Sequence, residues 1–206
     1  MASALAMGES NACMKRIVAA PTAGACGVLP AVLVNYQKEK GTADEQIVRA
    51  LYTAAGIGQV VAARAYIAGA SGGCQAEIGT ASAMAAGALT ALGGGTPSQI
   101  THAAAMALKN LLGLVCDPVG GLVEVPCVKR NVIGSVNALS AADMALAGII
   151  SRIPPDQVID AMREVGDQMH PSLRETGQGG LANTPAAREW CAAQEEAVSY
   201  THLRAH

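Results

Sequence analysis

Residues 76–112 read AEIGTASAMAAGALTALGGGTPSQITHAAAMALKNLL, and they carry the clearest helical signal in the chain. The triple glycine at 93–95 ends a first apolar helix, which is predicted over about 76–92. The Thr-Pro-Ser-Gln at 96–99 is a capping-box pattern with proline at the first helical position, and it predicts a second helix that ends near residue 113. Two adjacent apolar helices favour an all-α fold.

The same stretch is apolar enough to require a test of a membrane-spanning alternative. No Asp, Glu, Lys or Arg lies between Glu77 and Lys109. A span needs about 20 consecutive apolar residues, and the break at 93–99 leaves neither half long enough. No basic, hydrophobic leader precedes Ala2, so we expect no signal peptide. With six cysteines and no export signal, the chain is predicted to be cytoplasmic, with thiols that are reduced or bound to metal.

Further helices are predicted on both sides of this stretch, and no segment alternates convincingly with a period of two. Upstream, the Thr-Ala-Asp-Glu at 42–45 is another capping-box pattern. The further predicted helices are the end of one at 1–9, then 29–40, about 42–65, 128–150 and an amphipathic helix that starts at Pro154. The resulting prediction is an all-α domain whose loops at 20–28, 66–74 and 113–127 carry the chemistry.

The composition is that of one domain that does not bind nucleic acid. The chain has 206 residues, a net charge of −2 and 2% aromatic residues. Without a basic surface or aromatic stacking residues, a nucleic-acid partner is excluded. We predict one domain over 1–190 and a tail at 191–206. Within the tail, VSYTHLRAH at 198–206 bears no relation to the preceding pattern, and we predict that it is not native sequence.

The most informative thiols, Cys74, Cys116 and Cys127, are here called the three loop cysteines. They lie in GASGGCQAEIG at 69–79 and in GLVCDPVGGLVEVPCVKRN at 113–131. Glycines before Cys74 permit positive φ and expose backbone amides, and the helix after it directs its positive end at the same place. Separations of 42 and 11 residues do not fit a zinc ribbon or a ferredoxin run. The residues alone leave two alternatives open, a three-thiolate metal site and buried inert cysteines.

These segments resemble the catalytic alpha chain of the iron–sulfur-dependent L-serine dehydratases, over roughly residues 1–190. The motifs that carry the resemblance are RIVAAPTAGACGVLPAVL, SGGCQAEIG, LGLVCDPVGGLVEVPCVKRN and RETGQGGLANTP. The resemblance implies an all-helical domain in which the three loop cysteines hold a [4Fe–4S] cluster, with one iron open to substrate. It also implies deamination of L-serine to pyruvate and ammonia by β-elimination, within amino-acid catabolism and gluconeogenesis.

The resemblance further implies that the chain begins inside the family's catalytic domain. A β-type regulatory chain or a second copy of the chain is the expected partner. Some relatives end in a cysteine that folds back toward the open iron, and Cys191 resembles that feature loosely. Of the other thiols, Cys26 is interpreted as a small loop residue near the site, and Cys13 as a packing residue.

Candidates for substrate binding come from two loops. Backbone or hydroxyl donors for the serine carboxylate are expected at Ser71, Gly72 and Gly73, or at Thr22 with Asn11 nearby; a loop-forming role remains open for each. The catalytic base is not assigned. Arg130 and Asn131 could pair a carboxylate or begin a helix. The other polar residues near the motifs each have a structural alternative: a helix start for Glu77, a solvated or satisfied face for His102 and Lys109, turn shaping for Asp117, and a salt bridge for Glu124.

Two other functions compete with L-serine deamination. One is a cluster-dependent L-cysteine desulfidase, because the loops do not distinguish a hydroxyl from a thiol leaving group. The other is a non-catalytic iron–sulfur or metal-binding module. A pyridoxal-phosphate enzyme is disfavoured, since none of the five lysines adjoins a phosphate-cradling loop.

Overall fold

The computed structural model describes residues 1–204, with side chains described up to residue 194. Within that range the chain forms nine α-helices and no strand, so the predicted all-α fold is confirmed. The helices are α1 (Ala2–Ala12), α2 (Leu29–Lys40), α3 (Asp44–Arg64), the one-turn α4 (Gly69–Gly72), α5 (Thr80–Leu92), α6 (Pro97–Lys109), α7 (Cys127–Leu146), α8 (Pro155–Gln168) and α9 (Pro185–Arg204). A π-helical turn, Gln75–Gly79, leads directly into α5.

Helix α5 lies at the centre of the bundle. Helices α2, α3, α6 and α7 pack around it, and every residue from Thr80 to Thr90 is buried. Its sequence, TASAMAAGALTAL, consists mostly of small side chains, which let neighbouring helices approach closely on several sides. A Cβ atom added at Gly87 would overlap Ile57 Cδ1 of α3. The small residues of α5 therefore determine how tightly the bundle closes.

The two capping-box patterns have different outcomes. At α6 the box is confirmed, because Thr96 Oγ1 accepts a hydrogen bond from the Gln99 amide at 3.3 Å and the Thr96 amide donates to Gln99 Oε1 at 2.9 Å. The box predicted at 42–45 is wrong, since α3 begins behind an alanine whose side chain cannot cap it. Instead, Gln37 Nε2 of α2 donates to Asp44 Oδ1 at 2.6 Å and connects the two helix ends.

Other predicted boundaries hold to within a few residues. Helix α6 ends at Lys109 rather than near residue 113, because the chain turns there toward the Cys116 loop. Helix α7 ends at Leu146 rather than at residue 150, and Gly148 follows with a φ of +87°. The prediction that Cys13 is a packing residue is wrong, because its side chain is exposed just beyond α1.

Two further predictions concern a membrane-spanning segment and the C-terminal tail. Within the described residues, no helix combines the length and hydropathy that a membrane crossing requires. The backbone of α9 continues through the predicted tail to Arg204. The prediction that 198–206 is not native falls on residues whose side chains, and for 205–206 also the backbone, lie outside the described part of the chain.

Candidate active site

Three separate segments bring the three loop cysteines into one pocket. Cys74 lies between the one-turn helix α4 and the π-helical turn, Cys116 lies in the loop after α6, and Cys127 is the first residue of α7. All three side chains are buried. The two proline- and glycine-rich loops and the start of α7 therefore bring the three thiols together.

The three thiols interact with one another. The neighbouring thiols of Cys116 and Cys127, together with the nearby Arg130 guanidinium, stabilise the Cys74 thiolate and lower the pKa of Cys74 to about 3. The Cys74 thiolate, together with burial, raises the pKa of Cys116 and of Cys127. The pocket thus concentrates soft sulfur ligands around one thiolate, the form that binds metal. This donor set fits an iron–sulfur cluster, for which thiolates are the usual ligands.

Glu77 joins the thiols on the inner side of the π-helical turn. A carboxylate oxygen of Glu77 and the sulfur atoms of Cys74 and Cys116 all lie within 4.8 Å of one another, so these residues form a group able to hold a metal ion. Thr22 Oγ1 donates a hydrogen bond to Glu77 Oε1 at 2.9 Å. Burial, with a smaller contribution from the nearby Cys74 thiolate, raises the pKa of Glu77 to about 7. Glu77 is thus the carboxylate that the fold brings to the sulfur atoms.

Two glycines make this close approach possible. A Cβ atom at Gly24 would lie 2.7 Å from Glu77 Oε2. A Cβ atom at Gly69 would lie 2.9 Å from Cys116 Sγ and 3.3 Å from Glu77 Oε2. All three distances are shorter than ordinary van der Waals contact, so any side chain at these positions would displace the carboxylate or the thiol.

The glycine-rich turn before Cys74 does not offer the free amides that the sequence predicts. The amides of Ser71 and Gly72 donate to Ala68 O at 3.1 Å and 3.0 Å, and the amide of Gly73 donates to Gly69 O at 2.8 Å. These donors are occupied by the turn of α4, and a contact of their backbone with the substrate carboxylate stays a prediction. The Ser71 side chain is exposed, and its contact with substrate stays a prediction.

Gly73 has a packing role instead. Its φ is +77°, and a Cβ atom there would lie 2.7 Å from Met169 Cε and 2.9 Å from Leu114 O. The glycine lets the chain turn sharply into Cys74 while α8 and the Cys116 loop pass close by. A side chain at this position would be strained by the backbone and blocked by both neighbours.

Hydrogen bonds from Asn11 and Asn131 hold the 20–28 loop in place, and Thr22 of this loop contacts Glu77. Asn11 Nδ2 donates to Ala23 O at 3.1 Å, so Asn11 anchors the loop and its predicted contact with substrate stays untested. Asn131 of α7 accepts from the Gly27 amide at 2.8 Å and donates to Gly24 O at 2.8 Å. These contacts explain Asn131, which the sequence left as a carboxylate partner or a helix start.

Arg130 and Asp117 form a charged pair beside the thiols. Arg130 Nη1 donates to Cys74 Sγ at 3.5 Å and to Val115 O at 2.7 Å. Arg130 Nη2 lies 2.8 Å from Asp117 Oδ1, and Asp117 Oδ2 accepts from the Leu181 amide at 2.7 Å. Asp117 therefore does more than shape a turn. The contact between Arg130 and sulfur joins residues 56 positions apart, and no local pattern in the sequence signals it.

The segment after α8 runs beside the Cys116 loop. The Cys116 amide donates to Leu173 O at 2.8 Å, and the Glu175 amide donates to Cys116 O at 2.7 Å. These bonds form an isolated parallel bridge between Cys116 and Arg174. The motif RETGQGGLANTP thus has a structural role, because it fixes the backbone of one of the three loop cysteines.

The remaining candidates lie elsewhere or stay open. Lys109 Nζ donates to Ser151 Oγ at 3.3 Å, and Glu124 is exposed. His102 is half-buried, and its Nδ1 atom has no hydrogen-bond partner among the described residues. Cys26 is buried, and its sulfur lies 3.6 Å from Met7 O. Cys191 packs on the Cys116 loop, where a Cβ atom at Gly120 would lie 3.3 Å from its sulfur.

Comparison with known proteins gives a consistent set of relatives. The family model described as serine dehydratase alpha chain matches residues 1–182. A probable L-serine dehydratase alpha chain of Bacillus subtilis (strain 168) is 58% identical over 189 residues, which cover 92% of this chain and 63% of that protein. A probable L-serine dehydratase alpha chain of Latilactobacillus sakei is 58% identical over 183 residues, with coverage of 89% and 88%.

A longer relative shows the same similarity over a smaller share of its length. The L-serine dehydratase TdcG of Escherichia coli (strain K12) is 48% identical over 181 residues, which cover 87% of this chain and 40% of that protein. The chain therefore spans only part of the length of several curated relatives, with 63% for the Bacillus subtilis protein.

Proposed function

The chain belongs to the serine dehydratase alpha chain family, and on this premise we propose that it deaminates L-serine to pyruvate and ammonia. The observation that carries the proposal is the group formed by Cys74, Cys116 and the Glu77 carboxylate, with the buried Cys127 thiol next to Cys74. Such an arrangement combines metal ligands with a group that can accept a proton.

The three loop cysteines would hold a [4Fe–4S] cluster. Their chemistry supports this assignment, because all three are buried thiols close enough to one another to shift each other's pKa. Neither Cys13, which is exposed, nor Cys26, whose sulfur contacts Met7 O, is required for the set. When bound with three protein ligands, the cluster would supply a Lewis-acidic iron that polarises the serine hydroxyl.

The proton chemistry is assigned to Glu77. Thr22 holds the side chain through Oε1, and the Glu77 carboxylate would accept the proton from the serine Cα. The Cα–H electrons form the new double bond as the Cβ–O bond breaks and hydroxide leaves. The 2-aminoacrylate that results tautomerises and hydrolyses to pyruvate and ammonia, so no oxidant or reductant is needed.

A partner chain and a cellular compartment are also proposed for this reaction. Two of the relatives above are described as alpha chains, which supports a separate partner chain for this protein. A reducing compartment such as the cytoplasm suits the site, because its thiols must stay free to bind metal.

A second candidate is a metal-binding module without this activity. The observation that favours it is that Cys74, Cys116 and a Glu77 oxygen lie within 4.8 Å of one another, which is close enough to bind one ion. Such a site uses a different ligand set, because Glu77 replaces Cys127. The two candidates therefore make opposite predictions about Cys127 and about Glu77.

The decisive experiment is anaerobic reconstitution with iron and sulfide, followed by assays of pyruvate from L-serine and of sulfide release from L-cysteine. The proposal predicts pyruvate formation that decays in air and is lost in Cys74→Ala, Cys116→Ala and Cys127→Ala, while Cys13→Ala behaves like the wild type. A Cys127→Ala variant with full activity would overturn the ligand assignment. Sulfide release that exceeds pyruvate formation from L-serine would favour the desulfidase instead.

A further inference from the structure

We propose that Arg130 is a positioning residue that tunes the cluster through Cys74, raising its reduction potential and its resistance to oxygen. The inference rests on the proposed cluster at the three loop cysteines. It adds that the chain treats one of the three ligand sulfurs differently from the other two.

The guanidinium group is held at three points. Nη1 of Arg130 donates to Cys74 Sγ at 3.5 Å and to Val115 O at 2.7 Å, and Nη2 pairs with Asp117 Oδ1 at 2.8 Å. The planar fork of arginine suits such a set of directed contacts, which the point charge of a lysine would not reproduce. The guanidinium therefore has a fixed orientation toward a single sulfur.

Asp117 keeps the guanidinium in that orientation. It is buried, and its second oxygen accepts a hydrogen bond from the Leu181 amide at 2.7 Å. Gly180 lies so close to this carboxylate that a Cβ atom there would overlap it. The segment that contains Leu181 thus fixes the Asp117 carboxylate beside Arg130. Asp117 in turn keeps the guanidinium in contact with Cys74.

The contact is selective for one ligand. Among the described residues, an arginine donates a hydrogen bond to the sulfur of Cys74, and no arginine donates one to the sulfur of Cys116 or of Cys127. Hydrogen bonds to ligand sulfurs and nearby positive charge stabilise the more electron-rich state of an iron–sulfur cluster. Arg130 therefore raises the potential at which the cluster gives up an electron, and slows its oxidation by oxygen.

The test uses the full chain, reconstituted anaerobically, in four variants. Arg130→Gln removes the charge, Arg130→Lys retains it without the fork, and Asp117→Asn loosens the guanidinium while leaving it in place. Arg64→Gln is the matched control, since Arg64 pairs with Asp160 at 2.7 Å on the exposed surface. Cluster content is read from visible absorption, the reduction potential from a redox titration, and oxygen sensitivity from the rate of bleaching in air.

We expect Arg130→Gln to lower the reduction potential and to bleach about tenfold faster than the wild type, the scale by which changes around metal ligands alter metal affinity or activity. Asp117→Asn should shift both readouts in the same direction by less, Arg130→Lys should lie between wild type and Arg130→Gln, and Arg64→Gln should match the wild type. A merely structural role would lower cluster content without moving the potential of the clusters that remain.

The outcomes separate this inference from the proposed function. A wild-type chain that takes up no cluster overturns both. A wild-type chain with a cluster, and variants Arg130→Gln and Asp117→Asn with an unchanged potential, overturn the role of Arg130 alone. If Arg130→Gln does not fold, Asp117→Asn still decides, because an unchanged potential in that variant contradicts the positioning of the guanidinium by Asp117.

Discussion

Thr22 Oγ1 donates a 2.9 Å hydrogen bond to Glu77 Oε1 across 55 residues of sequence. This contact joins the 20–28 loop to the π-helical turn that carries Glu77. The other carboxylate oxygen lies against Gly24 and Gly69, where a Cβ atom would come within 2.7 Å and 3.3 Å of it. Thr22 therefore orients the Glu77 carboxylate beside the sulfur atoms of Cys74 and Cys116, with one oxygen held by a hydrogen bond.

Glu77→Gln is expected to abolish most of the activity while the cluster is retained. The amide keeps the shape of the side chain but cannot accept a proton, and loss of a general base typically lowers kcat by about 10²–10⁴-fold. The measurement is kcat for pyruvate formation, divided by the cluster content from visible absorption. Thr22→Ser is the matched control, because serine keeps the hydroxyl donor, and we expect it to retain activity close to that of the wild type.

The outcome of this comparison also distinguishes the two metal assignments. If Glu77 were a metal ligand, Glu77→Gln would lose the bound metal together with its activity. A variant that binds the cluster normally and still forms pyruvate at the wild-type rate would remove Glu77 from the proposed chemistry.

Gly69→Ala is expected to impair cluster binding. The added methyl group would lie 2.9 Å from Cys116 Sγ, so the thiol must move away from Cys74 or the α4 turn must shift. We expect less than half of the wild-type cluster content after identical reconstitution, and a lower melting temperature. Gly56→Ala in α3 is the matched control, because nothing lies within 4 Å of a Cβ atom there. That variant should bind cluster normally and be more stable by about 0.5–1 kcal/mol, since alanine favours the helix; equal cluster content in both variants would contradict the steric argument.

Thr96→Ala and Thr42→Ala should differ in stability although the two sequence patterns look alike. Thr96 caps α6 through both bonds of a capping box, whereas no side chain caps α3. Replacing a capping threonine with alanine costs about 1 kcal/mol. Denaturant unfolding should show that loss for Thr96→Ala and a change close to zero for Thr42→Ala. Equal losses would mean that Thr42 caps α3 in solution.

The capping boxes show why the helices were predictable and some of their ends were not. Apolar and small residues at helical spacing identify α5 and α6, since local preference and burial agree there. At 42–45 the local pattern is present, but the tertiary contact of Gln37 with Asp44 takes its place. The prediction for Cys13 is wrong for a related reason. A cysteine is usually buried, but the position of Cys13 beyond α1 leaves it exposed.

The gathering of the three loop cysteines could be predicted from the sequence, and the contacts around them could not. The three loop cysteines stand out because each lies in a glycine- and proline-rich loop. The contacts that orient them, from Arg130 to Cys74 and from Thr22 to Glu77, join residues 56 and 55 positions apart. Such pairs depend on how the helices pack, and no periodic pattern in the sequence encodes them.

Gly87→Ala should destabilise the bundle by about 1–3 kcal/mol, because the new methyl group would overlap Ile57 Cδ1 where α5 meets α3. Ile57→Val removes the overlapping methyl group, so the double variant should recover part of that loss, although Ile57→Val alone costs about 0.5–1.5 kcal/mol. The measurement is a double-mutant cycle of unfolding free energies in denaturant. Additive effects would show that Gly87 and Ile57 do not share the space between the helices, and would remove the tight α3–α5 contact as the reason for a glycine at this position.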